Sequence, residues 1–239
     1  MIKTFEFYLD TANHEIFPNE IWQDPNIVFH GTSQYHAQTI ENNGFVSSTC
    51  PFGIKDAKEL STLLQLPQLG DEGSKFSRNL NSYISSIENN NFRLSFAYLS
   101  FLSVLYASGQ SKGGQILGTI RQAHSLITQA IGNNILGSEL LTEPIKRLFN
   151  LEINISEENG VVYAVRLEHP YDGITEEYDI IHSTRNISPQ NIIGKVILPN
   201  GYNFDGFDIA QVKQINRKKL LKPGHLGILL NRNYYDDNY

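Results

Sequence analysis

A histidine and a glycine at the end of a short apolar run are the residues whose types and spacing suggest chemistry first. Residues 27–29, Ile-Val-Phe, are apolar and partly β-branched, which predicts a buried strand. His30 and Gly31 follow directly. An imidazole beside a peptide group that no side chain covers can hold a polar ligand from two directions. A structural histidine followed by a turn glycine gives the same letters, so local chemistry leaves both interpretations open.

The residues that follow predict the unit that positions this pair. His30-Gly31-Thr32 is expected to end the strand in a tight turn, and Ser33 is expected to cap a short helix through its hydroxyl. Residues 37 and 40 are apolar and three positions apart, so they share one helix face. Asn42-Asn43-Gly44 then predicts a helix end with glycine in the left-handed conformation.

Composition limits the class of protein. The chain has 239 residues, 40% of them hydrophobic and 18% charged, which favours one folded domain over a disordered chain. The net charge of −6 gives no general basic surface for nucleic acid. Cys50 is the only cysteine, so we expect neither an internal disulfide nor a cysteine metal cluster, and we expect no metal. No apolar run reaches a membrane-spanning length, so cytoplasmic folding is expected, and delivery into a host or competitor cell is compatible with the same composition.

The His-Gly-Thr unit resembles the first motif of the ADP-ribosyltransferase fold. It is more similar to the histidine class, which includes the poly(ADP-ribose) polymerases and the diphtheria-type toxins. The resemblance implies that His30 contacts the adenosine ribose of NAD and that the backbone of Gly31 holds the nicotinamide carboxamide. Thr32 completes the motif and joins these two as an expected cofactor-binding residue.

Residues 92–107 resemble the second motif of the family. Alternation in residues 92–96 predicts a strand, and the dense apolar run that follows predicts a helix, both of which also suit an ordinary buried core. Ser95, Phe96 and Tyr106 fall at the spacing of the motif, which implies cofactor binding, with Phe96 or Tyr106 facing nicotinamide. The histidine class usually has tyrosine where this chain has Ser95, and serine is more similar to the arginine class. This hybrid motif favours transfer of single ADP-ribose units over polymer synthesis.

Two adjacent glutamates open a segment that resembles the third motif, EEYDII followed by ISPQNIIGKV. Cleavage of the nicotinamide–ribose bond makes the sugar carbon strongly positive, and one fixed carboxylate stabilises that charge. Glu177 fits the family pattern better than Glu176, and strand alternation places the two on opposite faces. Both are therefore candidate catalytic residues, and the alternative is that both are solvated charges at a strand end.

The predicted fold class is α+β. The resemblance implies a split β-sandwich of two small sheets with flanking helices, in a single ADP-ribosyltransferase-like domain over residues 1–239. We expect a helix at 56–64, an exposed loop at 70–75, a helix at 77–88 and a strand at 160–167. A helical insertion is expected at about 109–150, and a frayed tail at about 225–239.

These features lead to one functional hypothesis with stated alternatives. The chain is expected to be an NAD-dependent mono-ADP-ribosyltransferase, a toxin or effector in type, that uses NAD as substrate and a protein or nucleic acid as acceptor. With water as the acceptor, the same site is an NAD glycohydrolase. The alternatives are a catalytically inactive module that binds NAD, ADP-ribose or a partner, and an RNA 2′-phosphotransferase of the same fold. A Rossmann-type NAD site is not expected, because no G-x-G-x-x-G follows a strand.

Overall fold

The computed structural model of the chain describes residues 2–8, 15–24, 26–46, 52–89, 94–97, 100–109, 112–167, 174–175, 180–183, 186–199 and 201–202. The described residues combine a mixed sheet with α-helices, which confirms the predicted α+β class. The strands are β1 (Lys3–Phe5), β2 (Ile27–Ser33), β3 (Leu94–Ala97), β4 (Gly160–Arg166), β5 (Ile174–Thr175), β6 (Ile180–Ser183) and β7 (Ile192–Ile197). The helices are α1 (Asn19–Trp22), α2 (Ala37–Asn43), α3 (Ile54–Leu63), α4 (Gly70–Glu88), α5 (Ser100–Ala107), α6 (Gln115–Gly132) and α7 (Glu143–Glu157).

All seven of these strands belong to one sheet, in the order β1-β7-β4-β2-β3-β6-β5. The pair β1–β7 is parallel and the other pairs are antiparallel. The prediction of two separate small sheets is therefore wrong at the level of strand pairing, because Phe29 of β2 pairs with Ala97 of β3 and joins the two halves. That pair is the whole described register between β2 and β3, whereas β2 and β4 pair along seven residues.

Strand β2 is longer than the sequence predicts. It continues through His30, Gly31 and Thr32 to Ser33, because each of these residues pairs with a residue of β4. Gly31 is therefore not a turn glycine. The predicted cap is confirmed, since the hydroxyl of Ser33 accepts a hydrogen bond from the Tyr35 N–H at 3.3 Å and begins the 3-10 turn before α2.

The glycine that ends α2 has the predicted positive φ, but its ψ of −166° lies outside the left-handed helical region. Gly44 has φ 77°, and its N–H donates to the Ile40 carbonyl at 2.8 Å. This reversal sends Phe45 back to the sheet side of α2, where its backbone forms a bridge with Ile187. The two hydrogen bonds of that bridge measure 2.9 and 2.8 Å.

Helix α5 lies against the middle of the sheet, over two glycines. A Cβ on Gly31 would lie 1.7 Å from the carbonyl oxygen of Ser103, and a Cβ on Gly160 would lie 1.8 Å from that of Ala107. No other residue allows helix and strand backbones to approach this closely. The turn of α5 from Ser103 to Ala107 is therefore held directly above the end of β2, and its Val104 is buried against the sheet.

Four helices form a layer with a hydrophobic core of its own. Helices α3, α4, α6 and α7 contribute all but a few of the side chains in this cluster, which includes Leu60, Leu80, Ile120 and Leu148. This helical layer draws on chain segments both before and after β3, so the helical part is larger than the expected insertion at 109–150, and α7 continues to Glu157.

The residues predicted as a loop at 70–75 are the first turns of α4, which is the clearest error of helix assignment. Gly70 has φ 60° and begins the helix, and the acidic pair Asp71 and Glu72 lies in the first turn, where negative charge is favoured. Gly73 allows a close approach as well, because a Cβ there would lie 2.5 Å from the Leu64 carbonyl oxygen. The glycines and charges that resemble a loop in the sequence therefore begin a helix and allow it to contact its neighbour closely.

Arg121, which is paired with a buried glutamate, connects the helical layer with the chain that leaves α5. Arg121 Nε donates to Glu152 Oε1 at 2.6 Å, and Glu152 is only 3% exposed. The same guanidinium donates to the Gly109 carbonyl at 3.1 Å. Lys112 Nζ donates to the carbonyl oxygens of Ser156 and Glu158, both at 2.8 Å, at the end of α7. These bonds tie α6, α7 and the end of α5 together.

Within the described ranges, no helix combines the length and the apolar character that crossing a membrane requires.

We predict that Gly31→Ala destabilises the fold by roughly 1–3 kcal/mol or more, because the new methyl group would overlap the Ser103 carbonyl. Gly132→Ala is the matched control, since a Cβ there meets nothing within 4 Å and the site lies at the end of α6. That control should leave stability unchanged or raise it by up to about 1 kcal/mol. Chemical denaturation followed by circular dichroism measures both changes, and equal stability of the two variants would contradict this account of Gly31.

Candidate functional site

The imidazole of His30 is the centre of the candidate site. Its Nδ1 lies 2.9 Å from the carbonyl oxygen of Ser95 on β3. A carbonyl oxygen can only accept, so Nδ1 carries the proton and Nε2 is left as a hydrogen-bond acceptor. The rings of Phe45 and Phe96 lie 4.8 and 5.5 Å from the imidazole, centroid to centroid. The side chain is thus fixed by one hydrogen bond and two aromatic contacts.

The surroundings of His30 favour its neutral form. Burial lowers its pKa from the usual value of 6.5, the hydrogen bond to Ser95 opposes that change, and nearby His36 lowers the pKa again. Burial also lowers the pKa of His36. A neutral imidazole with its proton on Nδ1 offers Nε2 to a hydroxyl or amide donor.

The peptide groups of Gly31 point away from β4 and towards β3. In an antiparallel pair, residues alternate between exchanging hydrogen bonds with the partner strand and facing away from it. Gln34 N–H donates to Asn159 and Leu167 N–H donates to Asn26, so the even-numbered residues of β2 are those that bond β4. Gly31 is odd-numbered, and its N–H and C=O therefore lie in the plane of the sheet on the β3 side.

The described β2–β3 ladder is interrupted beside Gly31, and we call this interruption the opening. Phe29 pairs with Ala97, so a continuous ladder would place Gly31 opposite Ser95. The described register stops before that pair, and the side chain of His30 donates to the Ser95 carbonyl there. The backbone of Gly31 and the imidazole of His30 both lie beside this opening, and Gly31 itself is buried in this conformation. Binding of a polar ligand by this pair stays a prediction.

The other predicted cofactor-binding residues divide between accessible and buried positions. Tyr106 is 36% exposed and lies in the turn of α5 that contacts Gly31, and burial raises its pKa. Ser95 is exposed on β3, next to the opening. Phe96 is 1% exposed and Thr32 is 4% exposed, so neither presents a free surface to a ligand in this conformation. Tyr106 is therefore the predicted aromatic residue that can face a flat ring.

The two predicted acids, Glu176 and Glu177, lie outside the described residues. The described residues on either side of them, Thr175 and Ile180, pair with each other across β5 and β6. Ile180 also pairs with Ala97, which pairs with Phe29. The ends of β5 and β6 that flank the acids are thus level with the residue before His30, and Ile180 is two strand spacings, about 10 Å, from Phe29.

Four residues near His30 were not selected from the sequence. Phe45 contacts the imidazole edge-on, and Tyr163 pairs with His30 across β2 and β4. Glu41 accepts hydrogen bonds from the Tyr163 hydroxyl and from Lys195 Nζ. The sequence feature that could have indicated two of them is a polar side chain inside an apolar strand: Tyr163 lies in GVVYAVR and Lys195 lies in IIGKVI.

Neither metal ligation nor a known relative adds to this picture. Among the described residues, no group of three or more His, Cys, Asp and Glu side chains could hold a metal ion. No protein-family model matches the chain, and searches of curated proteins and of solved structures found no match either. The candidate site therefore stands on its geometry and on the resemblance of its motifs.

We predict that His30 makes the folded protein less stable in acid. The pKa of His30 in the folded protein is below 6.5, so the unfolded chain binds the proton more readily. The contribution of the neutral imidazole to the free energy of unfolding is therefore full above about pH 6.5, and it is lost as the pH falls towards the folded pKa. One proton contributes a slope of at most about 1.4 kcal/mol per pH unit. Denaturation between about pH 7 and pH 5 should show a smaller loss in His30→Gln than in the wild type.

The second histidine with a lowered pKa provides the comparison for this measurement. His36→Gln should also reduce the loss of stability in acid, and the double variant should reduce it most. An identical pH dependence in the wild type and His30→Gln would show that His30 is not held neutral.

Proposed function

We propose that the chain is an NAD-dependent mono-ADP-ribosyltransferase, and that its sheet corresponds to the ADP-ribosyltransferase fold, opened between β2 and β3. The observation that carries the proposal is the meeting of His30 and Gly31 at that opening. The imidazole is oriented by the Ser95 carbonyl, and the Gly31 peptide groups point into the same space. The order of the three motifs along the chain supports the same family resemblance.

In the proposed complex, each residue at the opening binds a different part of NAD. His30 Nε2 accepts a hydrogen bond from a hydroxyl of the adenosine ribose. The N–H and C=O of Gly31 pair with the nicotinamide carboxamide, which needs one acceptor and one donor in one plane. Tyr106 supplies the aromatic surface against the nicotinamide ring. Ser95, which is small, leaves the second face of that ring open where the histidine class usually has tyrosine.

The proposed reaction breaks one bond and forms one. The bond between the ribose C1′ and the nicotinamide nitrogen breaks, and its electron pair stays with nicotinamide, which leaves as a neutral molecule. The positive charge that develops on the sugar is stabilised by the carboxylate of Glu177. An acceptor nucleophile then donates an electron pair to C1′ and loses its proton. A macromolecular side chain or base as acceptor makes the reaction a transfer, and water makes it a hydrolysis.

The described geometry is compatible with a carboxylate that reaches the scissile bond. The strand ends that flank Glu176 and Glu177 lie level with Phe29, about 10 Å across the sheet from it. Strand β3 lies between these two points, and an NAD nicotinamide riboside is long enough to cross one strand. The carboxylate would then face the sugar while the carboxamide remains on Gly31.

We predict that purified protein releases nicotinamide from NAD, and that Glu177→Gln lowers the rate by on the order of 100-fold or more. Glu176→Gln is the matched control, one residue away with the same change of charge, and should retain most of the activity. Nicotinamide is measured by chromatography, and transferred ADP-ribose by mass spectrometry of a lysate incubated with labelled NAD. His30→Ala should weaken NAD binding more than it slows the step that follows.

Other results of these assays would distinguish between the alternative functions. NAD binding with no release of nicotinamide, in the presence of varied acceptors, would identify an inactive binding module. Consumption of a 2′-phosphorylated RNA with formation of ADP-ribose cyclic phosphate would identify the phosphotransferase. No binding of NAD at all would overturn the proposal.

A further inference from the structure

A row of polar side chains crosses three strands and ends at His30. Lys195 of β7 pairs with Tyr163 of β4, and Tyr163 pairs with His30 of β2. Residues directly opposite each other on neighbouring strands project from the same face of the sheet. The phenol, the ammonium and the imidazole thus share one face, on which most of the surrounding side chains are buried and apolar.

Glu41 of α2 joins two members of this row. Its Oε1 accepts a hydrogen bond from the Tyr163 hydroxyl at 3.1 Å and another from Lys195 Nζ. The side chain of Lys195 is 15% exposed and that of Glu41 is 27% exposed. Burial raises the pKa of Tyr163, as do the charge of Glu41 and the hydrogen bond to it, so the phenol is a neutral donor. A polar group in such surroundings is costly unless its hydrogen bonds are made, so the three side chains fix one another.

Phe45 connects this network with the imidazole. It follows Glu41 by four residues, beyond the Gly44 reversal at the end of α2. Its ring meets Tyr163 at 5.8 Å with an interplanar angle of 85°, and meets His30 at 4.8 Å with an angle of 67°. One ring therefore touches both the buried tyrosine and the candidate ligand-binding histidine. A shift of α2 or of Tyr163 would move the surface against which the imidazole rests.

We propose that Glu41, Tyr163 and Lys195 are positioning residues for His30, which hold Phe45 against the imidazole and so keep its Nδ1 directed to the Ser95 carbonyl. Among the described ring contacts, the network meets the imidazole of His30 through Phe45, and the proposal assigns it no ligand of its own. The identity of the ligand, NAD, rests on the proposed function, but the effect on the imidazole does not.

Nitrogen NMR of the histidine rings tests this in the protein without any ligand. In the wild type His30 should show one tautomer, with the proton on Nδ1. Tyr163→Phe removes the hydroxyl and keeps the ring, and Glu41→Ala removes the shared acceptor. Both should give a mixture of the two tautomers. Glu41→Gln keeps an oxygen acceptor for Tyr163 and should restore most of the Nδ1–H form.

A distant ion pair supplies the control. Lys58 Nζ and Glu88 form a 2.6 Å pair between α3 and α4, with both side chains largely exposed, so Lys58→Met should leave the His30 signals unchanged. Thermal unfolding of each variant separates folded from unfolded material. If Glu41→Ala does not fold, Tyr163→Phe decides the question. A lower melting temperature with an unchanged His30 tautomer in Tyr163→Phe would show a purely structural role and overturn the proposal.

Calorimetric titration with NAD then connects the network to the site. Tyr163→Phe should weaken binding roughly 3- to 30-fold, whereas Lys58→Met should not change it. Wild-type protein that fails to bind NAD would contradict the proposed function, and the tautomer comparison would still decide on the positioning residues. Unchanged NAD affinity in Tyr163→Phe, with a wild type that binds, would count against the network.

Discussion

The backbone contact between β2 and α5 is the constraint on which the arrangement depends. A helix carbonyl sits where a side chain of Gly31 would begin, and a second helix carbonyl does the same above Gly160. The two glycines belong to paired strands, and the absence of side chains at both leaves room for one turn of helix against the sheet. Because α5 lies so close, β2 is covered on one face as far as its end, and Tyr106 is brought to the level of Gly31. A larger residue at either position would lift the helix and the tyrosine together.

The functional groups of strand β2 therefore point in three directions. The imidazole of His30 projects to the face that carries Phe45 and Phe96, and the Cα of Gly31 contacts α5 on the other face. The peptide groups of Gly31 lie between these, in the plane of the sheet. A ligand that uses all three would therefore enter along the opening between β2 and β3, edge-on to the sheet. Among the described residues the β2–β3 ladder does not continue to Gly31, and Gly31 is buried in this conformation.

Much of the scaffold could be predicted from local sequence. The Ser33 cap, the Gly44 helix end and the strand near 160 follow from side-chain chemistry within a few residues, and the structure agrees with each. What failed depended on distant residues. Gly31 resembles a turn glycine until α5 is placed over it, and Gly73 resembles a loop glycine until Leu64 is placed against it. Local propensity cannot report a contact made from another part of the chain.

In the candidate site, too, some residues could be predicted from local sequence and others could not. His30 and Tyr106 could be chosen from spacing, because the motif that they resemble is local. Glu41, Phe45, Tyr163 and Lys195 could not, because strand register brings them to His30 and register is not visible in one strand alone. Phe96 shows a further limit, since its motif position suggests a ligand surface, whereas its side chain is only 1% exposed in the structure.

The ties made by Arg121 and Lys112 have a consequence for how the molecule opens. The helical layer has its own apolar core, so it can act as a cooperative unit in amide hydrogen exchange, distinct from the sheet. Arg121 holds the Gly109 carbonyl, and the Gly113 N–H donates to the Tyr106 carbonyl at 3.2 Å. The last turn of α5 is thereby fastened to that unit as well as to the sheet. The amides in the last turn of α5 should therefore exchange at the rate of the helical layer. The strand residues beside the opening lack these ties, so they can exchange at a different rate.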